Sequence, residues 1–147
     1  MIVELKDFFE QYGQPSKEGM EDLYDKFKSK KVKKGTFLLK QGQVCNHIFF
    51  IKKGCLRLYY IAKDVGTTVW FSFENKSAIE LSSFLSQTPS EYYLEAVEES
   101  EVLYLHQSKL TKLYDQLPGL QKTMRLFWED VILHLLKRFT SLQKDTA

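Results

Sequence analysis

The sequence predicts an α+β fold in which an antiparallel β jelly roll has N-terminal helices and a long C-terminal helix. Three observations predict it. Apolar residues follow helical spacing over residues 1–29, short strand patterns separated by turn residues fill 30–107, and helical spacing returns over 108–147. At 147 residues the chain has the length of one domain. We therefore expect one domain built from these three segments.

The N-terminal segment contains two predicted helices. The first has one apolar face and ends at residues 13–16, which include Gly13 and Pro15. Ser16 can cap a second helix with a similar apolar face. The apolar residues of the two faces are Leu5, Phe8, Phe9 and Tyr12, followed by Met20, Leu23, Tyr24 and Phe27. Two short helices therefore precede the core.

The central segment has the pattern of several short strands. Apolar and polar residues alternate over short runs, and glycines or polar turn residues separate the runs. Strands are predicted at residues 36–39, 47–51, 56–60, 68–73, 91–97 and 101–105. Strands this short at this spacing are typical of an antiparallel barrel or jelly roll.

The C-terminal segment predicts a short helix and then a long one. Ser108 can cap the short helix, and residues 117–119 (Leu-Pro-Gly) interrupt the chain. Residues 120–143 contain no glycine or proline, which corresponds to about 36 Å of helix. This helix is apolar on more than one side, and the roll can cover only one of them. We therefore predict a two-fold homodimer, the alternative being a core helix of a monomer. The predicted dimerisation stripe is Trp128, Ile132, Leu135, Phe139 and Leu142.

Composition excludes several classes of protein. No apolar run is long enough to span a membrane, and acidic residues interrupt the N-terminus where a signal peptide would be apolar. We expect a cytoplasmic protein without a membrane partner. Cys45 and Cys55 are expected to be buried free thiols, and three histidines without a CxxC motif argue against a metal site. The lysine-rich residues 26–40 indicate a solvated strand edge or a contact with an anion or nucleic acid.

Four short motifs carry a resemblance to a known family. They are Lys34-Gly35, Lys40-Gln41-Gly42, Ile48-Phe49-Phe50-Ile51 and Lys53-Gly54-Cys55-Leu56-Arg57. Together with the order of helices, roll and long helix, they resemble the sensor half of the Crp/Fnr family of bacterial transcription regulators. The resemblance implies a cyclic-nucleotide-binding-domain-like double-stranded β-helix as the sensor core and a homodimer. The glycines also have a local reason, because tight reversals between strands need positive φ or a missing Cβ.

Residues 79–96 (IELSSFLSQTPSEYYLEA) resemble the phosphate-binding cassette of that family. In members that bind cyclic AMP, a Gly-Glu pair opens a short helix, and an arginine followed by a small hydroxyl residue later grips the phosphate. Glu80 matches the glutamate, but Ile79 replaces the glycine, and Ser90 and Glu91 replace the arginine and the hydroxyl residue. A guanidinium offers a phosphate two charge-assisted hydrogen bonds, whereas a serine offers one neutral donor. A cyclic nucleotide held in the usual way is therefore disfavoured, and no other cofactor is indicated.

Three interpretations of Glu80 remain open. Its carboxylate can cap the amides of its own turn. Alternatively, it lines a pocket for a neutral or cationic small molecule, or a former pocket that holds no ligand. The residues of the candidate ligand site are Glu80, Leu81, Ser82, Ser83, Ser90 and Glu91.

The leading functional hypothesis is the sensor domain of a Crp/Fnr-type regulator, in which a ligand or contact shifts the roll against the long helix. DNA would be bound only through a helix-turn-helix domain, which we do not expect in this chain. The chain is then either a truncated regulator or a stand-alone dimeric module for a ligand or partner. A cupin-type enzyme is the remaining alternative, but His47, His106 and His134 lack the spacing of its metal ligands. No catalytic residues are predicted, and we expect no enzyme.

Overall fold

The computed structural model describes residues 3–13 and 17–146 of the chain. Helices α1 (Val3–Glu10) and α2 (Lys17–Lys26) precede the strands. The first four strands are β1 (Lys28–Val32), β2 (Phe37–Leu39), β3 (His47–Lys53) and β4 (Leu56–Ala62). Strands β5 (Val65–Ser72) and β6 (Ser77–Ala78) lead to helix α3 (Leu81–Ser86). Strands β7 (Tyr93–Ala96) and β8 (Ser100–His106) complete the roll, and α4 (Gln107–Gln116) and α5 (Leu120–Thr146) follow it.

The strands form two antiparallel four-stranded sheets. Their strand orders are β1-β8-β3-β6 and β2-β7-β4-β5. Neighbours along the chain can therefore lie in different sheets, and sequence-distant strands such as β3 and β8 pair along most of their length. This arrangement confirms the predicted jelly roll with helices at both ends.

The core lies between the two sheets and extends under the helices. Strand residues such as Phe50, Leu56 and Leu103 are almost fully buried because alternate side chains of each strand point inward. Leu5 of α1 and Phe127 of α5 belong to the same apolar cluster. The helices at both ends are therefore continuous with the core of the roll.

Strands β1 and β6 were not predicted from the sequence, and β5 is longer at its start than predicted. Strand β1 was not predicted because its lysines show no apolar alternation, yet it pairs with β8 over Lys28–Val32. It is an edge strand with mostly exposed side chains, which agrees with the solvated-edge interpretation. Strand β6 has only two residues. The β4–β5 hairpin turns through Lys63 and Asp64, which both have positive φ, so β5 begins earlier than expected.

The predicted cap Ser16 lies outside the described residues. None of the described helices is both long and apolar enough to cross a membrane.

Candidate functional site

Glu80 is the N-cap of helix α3. Its carboxylate accepts hydrogen bonds from the backbone amides of Ser82 (3.1 Å) and Ser83 (3.0 Å). Both carboxylate oxygens are used, and the side chain is only 4% exposed. The negative charge also lies at the positive end of the helix dipole. The capping interpretation of Glu80 is therefore observed, and the first amides of α3 already have an anionic partner.

Ser83 connects α3 to the loop before β3. Its hydroxyl donates to the carbonyl of Thr88 and accepts from the amide of Cys45 at 2.8 Å. At the other end of the helix, Gln87 adopts the left-handed conformation and its amide donates to the Ser83 carbonyl at 2.7 Å. These bonds satisfy the buried hydroxyl of Ser83 within the protein.

Ser90 stabilises the turn that follows α3. Its amide donates to the carbonyl of Gln43, and its carbonyl accepts from the amide of Gly42, each at 2.8 Å. Its hydroxyl accepts from the amide of Tyr92 at 3.0 Å. Ser90 is buried, whereas the adjacent Glu91 is exposed. Ser90 thus holds the backbone at the position where the family's arginine would hold a phosphate.

All three arginines of the chain are engaged away from this turn. Arg57 donates to the Thr68 hydroxyl at 2.6 Å and lies over the Tyr59 ring at 4.1 Å. Arg138 donates to the Val69 carbonyl, and Arg125 pairs with Glu129. A guanidinium clamp for a phosphate is therefore missing at α3.

Two tyrosines pack beside the cassette. The rings of Tyr60 in β4 and Tyr92 after Ser90 meet edge to face, with centroids 5.9 Å apart. Burial raises the pKa of the Tyr92 hydroxyl, and the negative charge of Glu80 raises it further. Tyr92 therefore stays protonated and neutral next to Glu80, and it brings no positive charge to an anion.

The structure brings only part of the predicted ligand site together. Glu80 contacts Ser82 and Ser83 directly, and Ser83 and Ser90 both bond to residues of the loop at 42–45. Leu81 is buried, and Ser82 and Glu91 are exposed. The role of these six residues in ligand binding stays a prediction.

We expect Glu80→Ala to lower the free energy of unfolding by about 1–2 kcal/mol, because it leaves two amides of α3 without their partner. Urea unfolding followed by circular dichroism would measure this. Glu91→Ala is the matched control, since the Glu91 carboxylate is exposed, and it should change stability by less than about 0.5 kcal/mol. Equal effects of the two substitutions would contradict the capping role.

His106 and the two cysteines have contacts or burial that belong to the fold. His106 is the N-cap of α4, where its Nδ1 accepts from the Ser108 amide at 3.0 Å. Burial lowers the pKa of His47, and the neighbouring His106 lowers it further.

Cys45 and Cys55 are buried free thiols, as predicted. Among the described residues, no three potential metal-binding side chains lie close enough together to hold an ion.

The predicted dimerisation residues of α5 divide into two sets. Trp128 packs against Phe84 of α3 with ring centroids 5.6 Å apart, and Leu135 packs on the core of its own chain. Ile132 and Phe139 are exposed, and Leu142 is partly buried. The exposed apolar residues of α5 are Ile132, Leu133, Leu136 and Phe139, which we call the α5 stripe. The assignment of a dimer to this helix stays a prediction.

A cavity of about 390 Å³, which the sequence did not predict, lies between α1, α5 and the edge strand β5. None of the six predicted ligand residues lines it, although the neighbouring Ile79 does. The signal in the sequence was the pair Phe71, near the end of β5, and Phe73, just after it, which are large apolar residues in exposed positions.

A comparison with known protein families identifies the family of this chain. A profile of the cyclic nucleotide-binding domain matches residues 29–117, which is more than half of the chain. This segment includes the roll, α3 and α4, and α5 follows it. No curated protein sequence matches the chain.

Several solved structures share the fold. A cyclic nucleotide-binding domain from Methylobacillus flagellatus KT has a TM-score of 0.85 at 15% identity, covering 99% of this chain and 84% of that chain. The Thermus thermophilus catabolite activator protein has a TM-score of 0.73 at 15% identity, covering 92% and 62%. DNR from Pseudomonas aeruginosa has a TM-score of 0.64 at 16% identity, covering 85% and 56%. The chain thus spans less than two thirds of the last two proteins.

At these identities the similarity to solved structures shows the fold alone. The family match together with this fold confirms the predicted resemblance to the cyclic-nucleotide-binding-like domain of Crp/Fnr regulators. The chain therefore belongs to the cyclic nucleotide-binding domain family.

Proposed function

We propose that this chain is a regulatory sensor domain that dimerises through α5 and does not hold a cyclic phosphate in the usual way. The observation that carries the proposal is the α5 stripe. Four large apolar side chains lie exposed on one face of a 27-residue helix, which is about 40 Å long. The opposite face of the helix packs on the roll, so a shift of the roll would move α5.

A second copy of the same helix fits this stripe best. Ile132, Leu133, Leu136 and Phe139 recur at three- and four-residue spacing, which is the spacing of helix pairs that pack side by side. A two-fold axis would place each stripe against its own copy. We expect the chain to sediment at twice its mass of 17.3 kDa. A monomer at micromolar concentration would contradict the dimer.

The charges at the cassette support the second half of the proposal. The Glu80 carboxylate accepts hydrogen bonds from the first amides of α3, and the Ser90 hydroxyl accepts one from the Tyr92 amide. Glu91, next to Ser90, adds a second negative charge. A cyclic phosphodiester is an anion and would meet no guanidinium there.

Cyclic AMP at millimolar concentration should therefore leave the melting temperature of the protein unchanged within about 1 °C. A ligand that binds only the folded state would raise it, by mass action. Differential scanning fluorimetry measures this, with cyclic GMP and 5′-AMP as parallel arms. Stabilisation by cyclic AMP that disappears in Glu80→Ala would contradict this part of the proposal.

We also propose that this domain regulates a partner or a further domain rather than catalysing a reaction. The family match and the fold of transcription regulators support this role. Contact with DNA would require a DNA-binding domain beyond residues 29–117, as Crp/Fnr regulators have. Stoichiometric transition metal in the purified protein would instead favour the cupin-type enzyme.

A further inference from the structure

The cavity beside α5 has the size and lining of a small-molecule site. Its volume of about 390 Å³ lies within the range of ligand pockets. It is bounded by α1, by the end of β5 with the following turn, and by α5. Six aromatic side chains line it: Phe8, Tyr12, Trp70, Phe71, Phe73 and Phe127.

Two of the rings that line the cavity are also exposed to solvent. Phe71 is 46% exposed and Phe73 is 58% exposed, and their ring centroids lie 6.3 Å apart. Neither residue belongs to the α5 stripe. Covering a phenylalanine with a ligand removes apolar surface from water and stabilises the complex. The two rings therefore favour a ligand with an aromatic ring.

Asp130 supplies a negative charge to this aromatic cavity. Its Oδ2 accepts a hydrogen bond from the Tyr12 hydroxyl at 2.7 Å. Burial raises the pKa of Tyr12 well above its usual range, and Asp130 raises it further, so Tyr12 stays a neutral donor. A carboxylate accepts up to about four hydrogen bonds, which leaves capacity for a ligand.

His134 lies on the same side of α5 as Asp130. Its Nδ1 is 3.3 Å from Asp130 Oδ1 and 2.7 Å from the Asp130 backbone carbonyl. A carbonyl oxygen only accepts, so Nδ1 carries a hydrogen. The imidazole packs edge-on against Trp70, with centroids 6.2 Å apart. His134 therefore fixes its ring on the Asp130 backbone, with the Asp130 carboxylate beside the same nitrogen.

We propose that this cavity binds an aromatic molecule that carries an ammonium group, with the ring among the aromatic side chains and the ammonium on Asp130. A cation is attracted both by the carboxylate and by the faces of aromatic rings. Lys76 also lines the cavity and is exposed, so a carboxylate on the ligand would meet it. Two classes of ligand combine an aromatic ring with an ammonium group in this way: arylalkylamines and aromatic amino acids.

The polar residues of the cavity face away from the middle of the α5 stripe. Successive helical residues turn by roughly 100°, which places Asp130 and His134 well away from Leu136. A ligand in the cavity would contact α5 directly through these residues. The regulatory effect of the ligand rests on the proposed sensor function, whereas its binding does not.

Isothermal titration calorimetry on the full chain tests the proposal with three indole probes. We expect tryptamine to bind, and indole-3-propionate, which has the same ring but a carboxylate, to bind at least tenfold more weakly. L-tryptophan distinguishes the two classes of ligand. Tighter binding than tryptamine would identify aromatic amino acids as the ligands, and weaker binding would identify arylalkylamines. Equal binding of tryptamine and indole-3-propionate, or no binding of tryptamine and L-tryptophan, would overturn the proposal.

Variants locate the binding to this cavity. Asp130→Asn removes the charge and keeps an acceptor for Tyr12, and it should weaken tryptamine binding at least tenfold. Glu129→Gln is the matched control on the same helix, because Glu129 does not line the cavity and should leave affinity unchanged. Phe71→Ser should also weaken binding. Unchanged affinity in both Asp130→Asn and Phe71→Ser would overturn the site.

Sedimentation separates a failure of this site from a failure of the sensor proposal. A chain that dimerises but binds none of the probes would refute the ligand class alone. A chain that binds tryptamine as a monomer would refute the proposed dimer and keep the cavity site.

Discussion

Replacing Gly54 by alanine should destabilise the fold by roughly 4 kcal/mol or more, which is a large part of the 5–15 kcal/mol typical of one domain. Gly54 forms the turn between β3 and β4 with φ of 104°. A Cβ at this position would lie 2.1 Å from Ser100 Oγ and 2.7 Å from the Ser100 Cα. The neighbouring backbone cannot accommodate an atom at that distance without moving.

The displaced residue is itself part of the structure. Ser100 is buried at the start of β8, and its hydroxyl donates to the Glu98 carbonyl at 2.9 Å and accepts from the Cys55 amide at 3.2 Å. Moving Ser100 would break both bonds and disturb the pairing of β8 with β1 and β3. The cost thus combines steric overlap, strain at positive φ and lost hydrogen bonds.

Gly42→Ala separates the steric part from the backbone strain. Gly42 has a similar φ of 91°, but a Cβ there would meet no atom within 4 Å. We expect this control to cost about 1–2 kcal/mol, which is strain alone. Urea unfolding of both variants measures the difference. Equal destabilisation would show that contact with Ser100 does not explain the requirement for glycine at position 54.

Periodicity predicted the order of helices and strands because most elements bury one regular face. Strand β1 escaped prediction since its lysines stay at the solvated edge of a sheet, where pairing with β8 rather than burial maintains the strand. The glycines at the strand turns were interpreted correctly, as positive φ at Gly42 and Gly54 shows. Local sequence therefore predicted turns and faces better than it predicted edges.

The candidate site was less predictable because its contacts join residues far apart in sequence. The resemblance located Glu80, but the choice between capping and ligand binding depends on which atoms its carboxylate contacts. The aromatic cavity lies between α1, β5 and α5. No local sequence pattern predicts the hydrogen bond between Tyr12 and Asp130, which are 118 residues apart. Likewise, spacing alone assigned Trp128 to a dimer stripe, although Phe84 of the same chain contacts it.

Leu136→Glu should convert the expected dimer to a monomer, with an affinity loss of at least roughly 100-fold, or about 2.7 kcal/mol. Leu136 is 57% exposed and lies near the middle of the α5 stripe, so its side chain would be buried only by a second copy. At a two-fold interface the substitution places two carboxylates in the same apolar region. The cost is then desolvation of both charges together with their mutual repulsion.

The exposed position of Leu136 makes this experiment selective. Leu136 is more than half exposed and is not among the residues packed on the core of its own chain, so the monomer of Leu136→Glu should keep its melting temperature after correction for dimer dissociation. Leu136→Met is the matched control, because it keeps an apolar side chain of similar volume at the same position and should keep the dimer. Sedimentation equilibrium measures all three proteins. If Leu136→Glu dimerises as tightly as the unsubstituted chain, α5 does not form the interface through this stripe.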